Sequence, residues 1–448
     1  MRRILGVICA VGALVALAPA TAAGADSSNP GTEWGLVRVG DTIFFEANDG
    51  VHGYELWKSN GTEAGTVLVK AVNPANPGTG PGGLIRVGSQ VFYSATDGVH
   101  GHELWKSDGT AAGTAMVEDI TPGAATTGLH FLAALGSELY FAVENGSGVP
   151  MTLWKSDGTA PGTSPVAPIG LYVLDDVSGV ALGSSLYFLS DDGVHGIELW
   201  TSDGTPQGTG MVVDLNPGPA EGVIDELLVW GSELYFGADD GEHGTELWAS
   251  DGTSAGTRMV KDINNGAASS VATHLTRFGD LLLFAADDGT TRGQELWRTD
   301  GTRAGTRLVK DITPGGRRRS VPHAITSLGK RAVFVAFNSA RALYRTDGTA
   351  DGTHIVRRPR NGGPTGFGPQ LERVEGIGVL VEAAVSSLWR SNGWRNGTFE
   401  VLDVNPAHIT ALGTGTALFS GDDGVHGREL WITDGTASGT QLVEDINP

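Results

Sequence analysis

Six times along the chain, an aspartate that opens an Asp-Gly step is followed six or seven residues later by a glutamate that opens Glu-Leu-Trp. The pairs are Asp49 with Glu55, Asp97 with Glu103, Asp192 with Glu198, Asp240 with Glu246, Asp288 with Glu295, and Asp423 with Glu429. Two chemistries suit such a pair. A hard cation such as calcium takes six to eight oxygens, and the two carboxylates with turn carbonyls would supply them. Alternatively, the glutamate accepts hydrogen bonds from turn amides that would otherwise be unpaired. The spacing does not match an EF-hand loop. Three units lack the Asp-Gly turn and the same three lack the glutamate, which leads us to expect that carboxylate and turn touch. Five of the turns also carry a histidine, His52, His100, His195, His243 and His426, within Asp-Gly-x-His-Gly. Aspartate and histidine together could ligate a transition metal. The turn at Asp288 has Thr290-Thr291-Arg292 instead, so the histidine reads as dispensable.

Other chemistries find little support. The only cysteine is Cys9, inside an apolar leader, so thiol catalysis and zinc-thiolate sites are excluded from the chain that follows. No Ser-His-Asp order or phosphate-binding loop stands out. The feature that breaks the repetition is charge. The formal charge is -21, and removal of Arg2 and Arg3 with the leader takes it to -23. Between Thr291 and Arg373, 16 Lys or Arg face 6 Asp or Glu, a local balance of +10, which leaves -33 on the rest. Within and beside this stretch lie Arg317, Arg318, Arg319, Arg357, Arg358, Arg360 and the unmatched Trp394-Arg395. Clustered arginine in an acidic protein focuses positive potential and would attract an anionic polysaccharide or a protein partner, including an acidic sector of a second copy. Nucleic acid is a weaker, purely electrostatic option. The bland reading of the same arginines is drift on a solvated surface.

The elements that position these residues follow from a repeat. Leu-Trp, or Leu-Tyr once, recurs with its aromatic at Trp57, Trp105, Trp154, Trp200, Trp248, Trp297, Tyr344, Trp389 and Trp431, at spacings of 42 to 49 residues. One aromatic per unit reads as core. In the fifth unit, four short runs rich in strand formers, at 227–230, 233–238, 245–250 and 257–263, are separated by turn residues. Each unit is therefore expected to be a four-stranded meander. A two-residue Gly-polar hairpin joins the first two strands, and Asp-Gly-Thr-x-x-Gly-Thr joins the last two. Glycine, at 68 residues, has about twice its usual share, as many tight turns require. Asn60, Asn145 and Asn396 fit the glycosylation sequon but read as variants of these turns. Four-stranded units of this length must stack to bury both faces and match β-propeller blades. The expected fold is all-β, a propeller of about nine blades. The alternatives are eight blades plus a decayed unit, two smaller propellers, or an open β-solenoid. Both ends of the chain are in phase with the repeat, so closure is expected by packing of the first blade on the last, with no swapped strand.

Glu-Leu-Trp-x-x-Asp-Gly-Thr stands at 103–110, 198–205, 246–253, 295–302 and 429–436. It resembles the ELWxxDGT repeat family of exported bacterial proteins, over essentially the whole chain after the leader. The resemblance implies a repeat architecture and no catalytic residues. Thr152-Leu153-Trp154, Ala342-Leu343-Tyr344 and Ser387-Leu388-Trp389 depart from it by lacking the glutamate.

Residues 1–23 have the pattern of a secretory signal: Arg2-Arg3, the apolar run Ile4 to Ala18, and small residues at 20–23. A short linker over 24–32 and a single repeat domain over 33–448 follow. The run is short for a membrane span, and no later stretch is long enough. These observations lead us to expect a secreted or periplasmic, non-catalytic binding or scaffold module, with calcium as the one candidate cofactor. The alternative is a carbohydrate-active hydrolase or lyase with its site in the central channel.

Overall fold

The computed structural model describes residues 35–448, apart from 74–79, 171, 174–178, 224–226, 315–319, 339, 359–366 and 384–386. The signal and linker segments and Arg317, Arg318, Arg319 and Arg360 lie outside the described residues. Nine antiparallel sheets follow one another along the chain, over 37–70, 82–118, 129–168, 172–213, 228–261, 273–310, 323–357, 367–403 and 407–444. Each is a meander whose strands pair in chain order, and we number them as blades 1 to 9. In blade 4 the first strand comes in two pieces, Tyr172–Val173 and Val180–Leu182, which both pair with Ser185–Asp191. Helix among the described residues is limited to two single turns, Glu63–Gly65 and Arg395–Gly397, and no helix there is long and apolar enough to cross a membrane.

The first strand of every blade lies beside the first strands of its neighbours, and the series closes between Val37–Val39 and Ala407–Gly413. The molecule is a nine-bladed β-propeller. Closure uses no exchanged strand. Leu36, Ile43, Phe45 and Trp57 of blade 1 form one apolar cluster with Leu412, Leu418, Leu430 and Val443 of blade 9. Thr410 Oγ1 donates to Leu36 O at 3.3 Å, and Arg38 Nη1 to Ala411 O at 3.4 Å, across the same seam.

The core lies between blades. A strand presents alternate residues to opposite faces, and here both faces are covered, so the second strands are apolar through their middle residues, as in Ile43-Phe44-Phe45 and Val91-Phe92-Tyr93. In blade 2, Val91 and Tyr93 face blade 1 while Phe92 faces blade 3. The Leu-Trp pair works the same way, with Leu104 turned to the following blade and Trp105 to the preceding one. The marker aromatic is thus a core residue that stacks across the sheet on a strand-2 phenylalanine, as in Phe419 with Trp431, centroids 6.3 Å apart. Tyr344 fills the place with Phe334 at 5.3 Å. The indole N–H of Trp57, Trp105, Trp248 and Trp431 is buried without a partner, so bulk is what the site uses.

A feature not expected from the repeat accompanies this pair. In all nine blades the register of strands three and four shifts between the Leu and the aromatic. The skipped residue is valine every time: Val69, Val117, Val166, Val212, Val260, Val309, Val356, Val401 and Val443. A bulge places two residues of one strand opposite one of its partner and increases the local twist. The extra valine adds a buried β-branched side chain to the interface with the following blade, as Val117 does against blade 3.

Candidate functional sites on the two faces of the ring

In a four-stranded meander the first and third connections emerge at one end, and the second connection and the exit to the next blade emerge at the other. One face of the ring therefore carries the Gly-polar hairpins and the Asp-Gly-Thr turns. The opposite face carries the Asp-Gly-x-His-Gly turns and the links between blades.

On the link face each turn aspartate closes its own turn. Asp97 Oδ1 accepts the amides of Val99 and His100 at 2.9 and 3.0 Å, and His100 Nδ1 lies 2.8 Å from Asp97 Oδ2. The same set recurs at Asp49 with His52, Asp192 with His195, Asp240 with His243, and Asp423 with His426. Burial opposes ionisation of Asp97, but the bonds from His100 and the two amides outweigh it and hold the carboxyl below its usual range. Hydrogen bonds to its aspartate raise His100 in turn. At Asp288 the histidine's place is taken by Arg292, which pairs with Asp288 and lies 3.7 Å from Asp311. The tips of four turns expose valine, with Val51 and Val425 at 76% and 79%.

The glutamates meet different partners from those expected. Glu246 is fully buried at the start of the third strand. It accepts the amide of Ile263 at 2.9 Å and that of Asn264 at 3.1 Å, just past the end of the fourth strand. Glu55 does this for Val72 and Asn73, Glu103 for Ile120 and Thr121, Glu295 for Ile312, and Glu429 for Ile446. Glu198 accepts from Asn216 at 3.4 Å. The carboxylate therefore caps the link to the next blade and makes no hydrogen bond with the turn before it. Chain geometry explains this. The fourth strand ends after about four residues, and its continuing amides would be orphaned without an acceptor. Two of the blades without the glutamate solve the problem with backbone. In blade 8 the ladder runs on to Ser387 opposite Asp403, and in blade 3 Ile169 and Met151 bond through N–H and C=O at 2.9 Å.

The link also touches the neighbouring blade. The asparagine held by a glutamate packs on the Asp-Gly turn of the following blade. A Cβ on Gly98 would fall 2.9 Å from Asn73 Oδ1, and one on Gly241 2.7 Å from Asn216 Oδ1. Asn264 meets Gly289 likewise, and Asn447 meets Gly50 across the ring closure, 2.8 Å from such a Cβ. Where the link carries Thr121 or Thr313 instead, the following blades 3 and 7 have no such turn.

Burial pushes Glu198, Glu246, Glu295 and Glu429 up to about 7, while their amide bonds pull the other way. Beside them Asp119, Asp214, Asp262, Asp311 and Asp445 each have a buried Oδ1 with no hydrogen-bond partner. Among the described residues no three His, Cys, Asp or Glu side chains converge as a metal cluster. The twelve paired carboxylates are spread over six blades.

The basic residues are split between the faces. Arg357 and Arg358 end the fourth strand of blade 7 on the link face, where Arg357 lies 5.5 Å over Trp389 and Arg358 donates to Asn338 O at 3.0 Å. Trp394 and Arg395 sit on the other face, in the last turn of blade 8, both exposed. On that face Asp251 Oδ1 accepts Thr253 N and Oγ1, and Thr253 Oγ1 accepts Gly256 N at 3.0 Å, which makes each regular turn self-contained. Lysine and arginine from the preceding blade then clamp its carbonyls, as Lys58 does at Gly109 O, 2.7 Å, and Arg298 at Gly348 O, 2.8 Å. Asn60 and Asn392 accept turn amides in the aspartate's place.

The first strands carry unlike polar residues in the later blades. His274 and His323 lie 6.3 Å apart between blades 6 and 7. His274 and His408 hold positive φ of 58° and 52°, an uncommon conformation for a side-chain-bearing residue.

No protein-family model matches the chain, and no curated protein matches it. Among solved structures it is similar to the computationally designed Ika8 protein, at 14% identity and TM-score 0.43 over 78% of this chain and 92% of that one. It is similar to BamB from Moraxella catarrhalis at 13% and 0.43, over 80% and 94%. It is also similar to puromycin hydrolase at 14% and 0.40, over 86% of this chain and 55% of that one, and so spans about half that enzyme's length. At such identities these likenesses concern fold alone.

Proposed function

We propose that this chain is a non-catalytic exported propeller that serves as a binding or scaffold module, and that its basic sector contacts an anionic polymer. The observation that carries the reading is the division of labour among polar residues. Those that repeat are spent on architecture: aspartates on turn amides, glutamates on link amides, and lysines on carbonyls of the next blade. Those that differ between blades are cationic and concentrated in blades 6 to 8. The test is retention of the purified chain on carboxylated, sulfated and neutral polysaccharide supports at low salt. Retention on the charged supports that falls steeply with added salt is expected, and passage through all three supports unretained would overturn the proposal.

Calcium stabilisation belongs to the same proposal with a changed ligand set. Because the turn aspartates are closed by their own amides, the link aspartates with a bare Oδ1, beside a buried glutamate, are the oxygens left for a cation. The guanidinium of Arg292 close to Asp311 supports a positive charge at that place. A melting temperature that rises with calcium after EDTA treatment is expected, since a ligand bound only by the native state stabilises it; identical curves would remove the ion.

A second reading, a carbohydrate hydrolase or lyase in the channel, is favoured by the strained His408. Its Nδ1 is buried without a partner, and the nearby charge of Arg428 also bears on Glu382, which burial pushes up to about 7. Release of reducing ends from a polysaccharide panel, abolished by Glu382→Gln, would establish it.

A further inference from the structure

We propose that Arg331, Arg345 and Trp394 form a clamp for the carboxylate of a uronic acid unit in an acidic polysaccharide. The clamp lies on the Asp-Gly-Thr face between blades 7 and 8, and the proposal rests on the reading of the chain as a binder of anionic polymer.

The case starts from what this position does elsewhere. In eight blades the third residue of the turn is threonine, whose hydroxyl ties the turn to itself: Thr62, Thr110, Thr159, Thr205, Thr253, Thr302, Thr349 and Thr436. In blade 8 it is Trp394, which has no such hydroxyl and is 44% exposed. An indole here adds nothing to the turn that threonine does not provide better, and it leaves a large apolar surface in solvent.

The residue that faces it has also changed employment. The side chain that follows the marker aromatic, Lys58 or Arg298 in other blades, spends its cation on a carbonyl of the next blade's turn. At the same place in blade 7, Arg345 stacks on the indole with its guanidinium carbon 3.6 Å from the ring centroid. Arg331 joins from the first hairpin of blade 7 at 5.0 Å and donates one N–H to Asn392 O at 3.3 Å. Two like charges thus share one ring, and no carboxylate forms an ion pair with either among the described residues. Asp347, whose charge lies near Arg345, has its Oδ1 occupied by Thr349. Exposed Lys330 and Arg395 add to the positive field.

Stacking holds the guanidinium planes in place, so less rotamer freedom is lost when an anion arrives, and each fork offers paired N–H donors matched to a carboxylate. The exposed part of the indole beside them suits the apolar face of a sugar ring. Charge density separates this ligand from nucleic acid. Duplex DNA carries a charge every 1.7 Å or so along its axis, and a long run of phosphates would meet the acidic remainder of the ring, -31 outside the basic sector. A polymer with one carboxylate per sugar can present a single charge to a single clamp.

The experiment measures binding of the full chain to polygalacturonate, dextran sulfate, neutral dextran and duplex DNA, with Trp394→Thr and Arg345→Ala beside the parent. Trp394→Thr restores the residue that eight other blades fold with, so its melting temperature should match the parent's. Loss of one charge-assisted fork in Arg345→Ala, and of the ring that holds both forks in place in Trp394→Thr, predicts affinity for polygalacturonate roughly tenfold lower or worse in both variants. If the parent binds polygalacturonate and both variants bind equally well, the clamp is overturned while the binding-module reading stands. Equal losses for dextran sulfate, or losses confined to DNA, overturn the assignment to a uronate. Binding of none of the polyanions by the parent overturns both.

Discussion

Four glutamates buried at the link face give the protein an unusual dependence of stability on pH. Glu198, Glu246, Glu295 and Glu429 rise to about 7 in the fold, against about 4.3 in an unfolded chain. Between these values the native state binds more protons than the unfolded one, so stability is full below about pH 4.3 and is lost as pH climbs to about 7. At 1.36 kcal/mol per unit each site forfeits roughly 4 kcal/mol by pH 8, and the four together on the order of 15 kcal/mol. With an unfolding entropy of about 2 cal/mol/K per residue, a chain of this length should melt about 4 °C lower per site and about 15 °C lower in all. His100, His195, His243 and His426, held up by their aspartates, add to the loss as pH rises past the ordinary histidine range, and the depressed aspartates, Asp423 at about 2, withdraw support only as pH falls below the ordinary carboxylate range. Glu246→Gln isolates one site. At pH 5 it should cost about 1 to 3 kcal/mol, because one of two link amides loses its acceptor. At pH 8 that cost should disappear or reverse, since the variant no longer buries a charge. Melting by calorimetry at pH 5, 6, 7 and 8 reads both quantities. If the parent melts at the same temperature throughout, or Glu246→Gln is equally destabilising at both extremes, then the amide bonds outweigh burial and the reasoning fails.

Three further outcomes are expected. Trp105→Ala should cost about 3 to 5 kcal/mol through the cavity it leaves, whereas Trp105→Tyr should cost far less because Tyr344 holds the same station; denaturant midpoints separate them. Asp251→Ala should lower the melting temperature through lost turn bonds and Asp251→Asn by much less, as Asn60 and Asn392 already serve there, which thermal melting can check. Gly98→Ala should be destabilised by its positive φ, by about 1 to 2 kcal/mol, and further by Asn73. Adding Asn73→Ala should recover the second part, so a double-mutant cycle that is strictly additive would deny contact between the blades.

Blade number, strand order and the role of the marker aromatic were legible because they follow from periodicity and from the burial of Trp57 and its counterparts. Closure by packing was legible from phase alone. The partner of the glutamate was misjudged. Glu246 and Asp240 are close in sequence, and sequence offers no measure of the seventeen-residue return by which the chain brings Ile263 back to Glu246. The signal was nevertheless present: Asn73, Asn216, Asn264 and Asn447 precede blades that have the turn, and Thr121 and Thr313 precede blades that do not. Comparing each unit with its successor, and the last with the first, would have found it. The valine bulges were equally visible as an unbroken column but carry no mark that distinguishes a bulge from ordinary strand. For Trp394, sequence marked the anomaly and could not show Arg345 beneath it.

The link asparagine that settles on the next blade's turn means that a unit of sequence is not a unit of interaction. A regular copy carries one half of two different joints, the seat for its predecessor and the plug for its successor. A copy duplicated whole inserts with both halves intact, so rings of this kind can lengthen by simple duplication without inventing a contact. Decay follows the opposite rule: once a turn is lost, the asparagine behind it has nothing to hold, and damage spreads to the neighbour upstream. Degenerate blades should therefore be found with their scars in two adjacent copies, and the ring closure, where Asn447 meets Gly50, makes the last copy in the gene the upstream neighbour of the first.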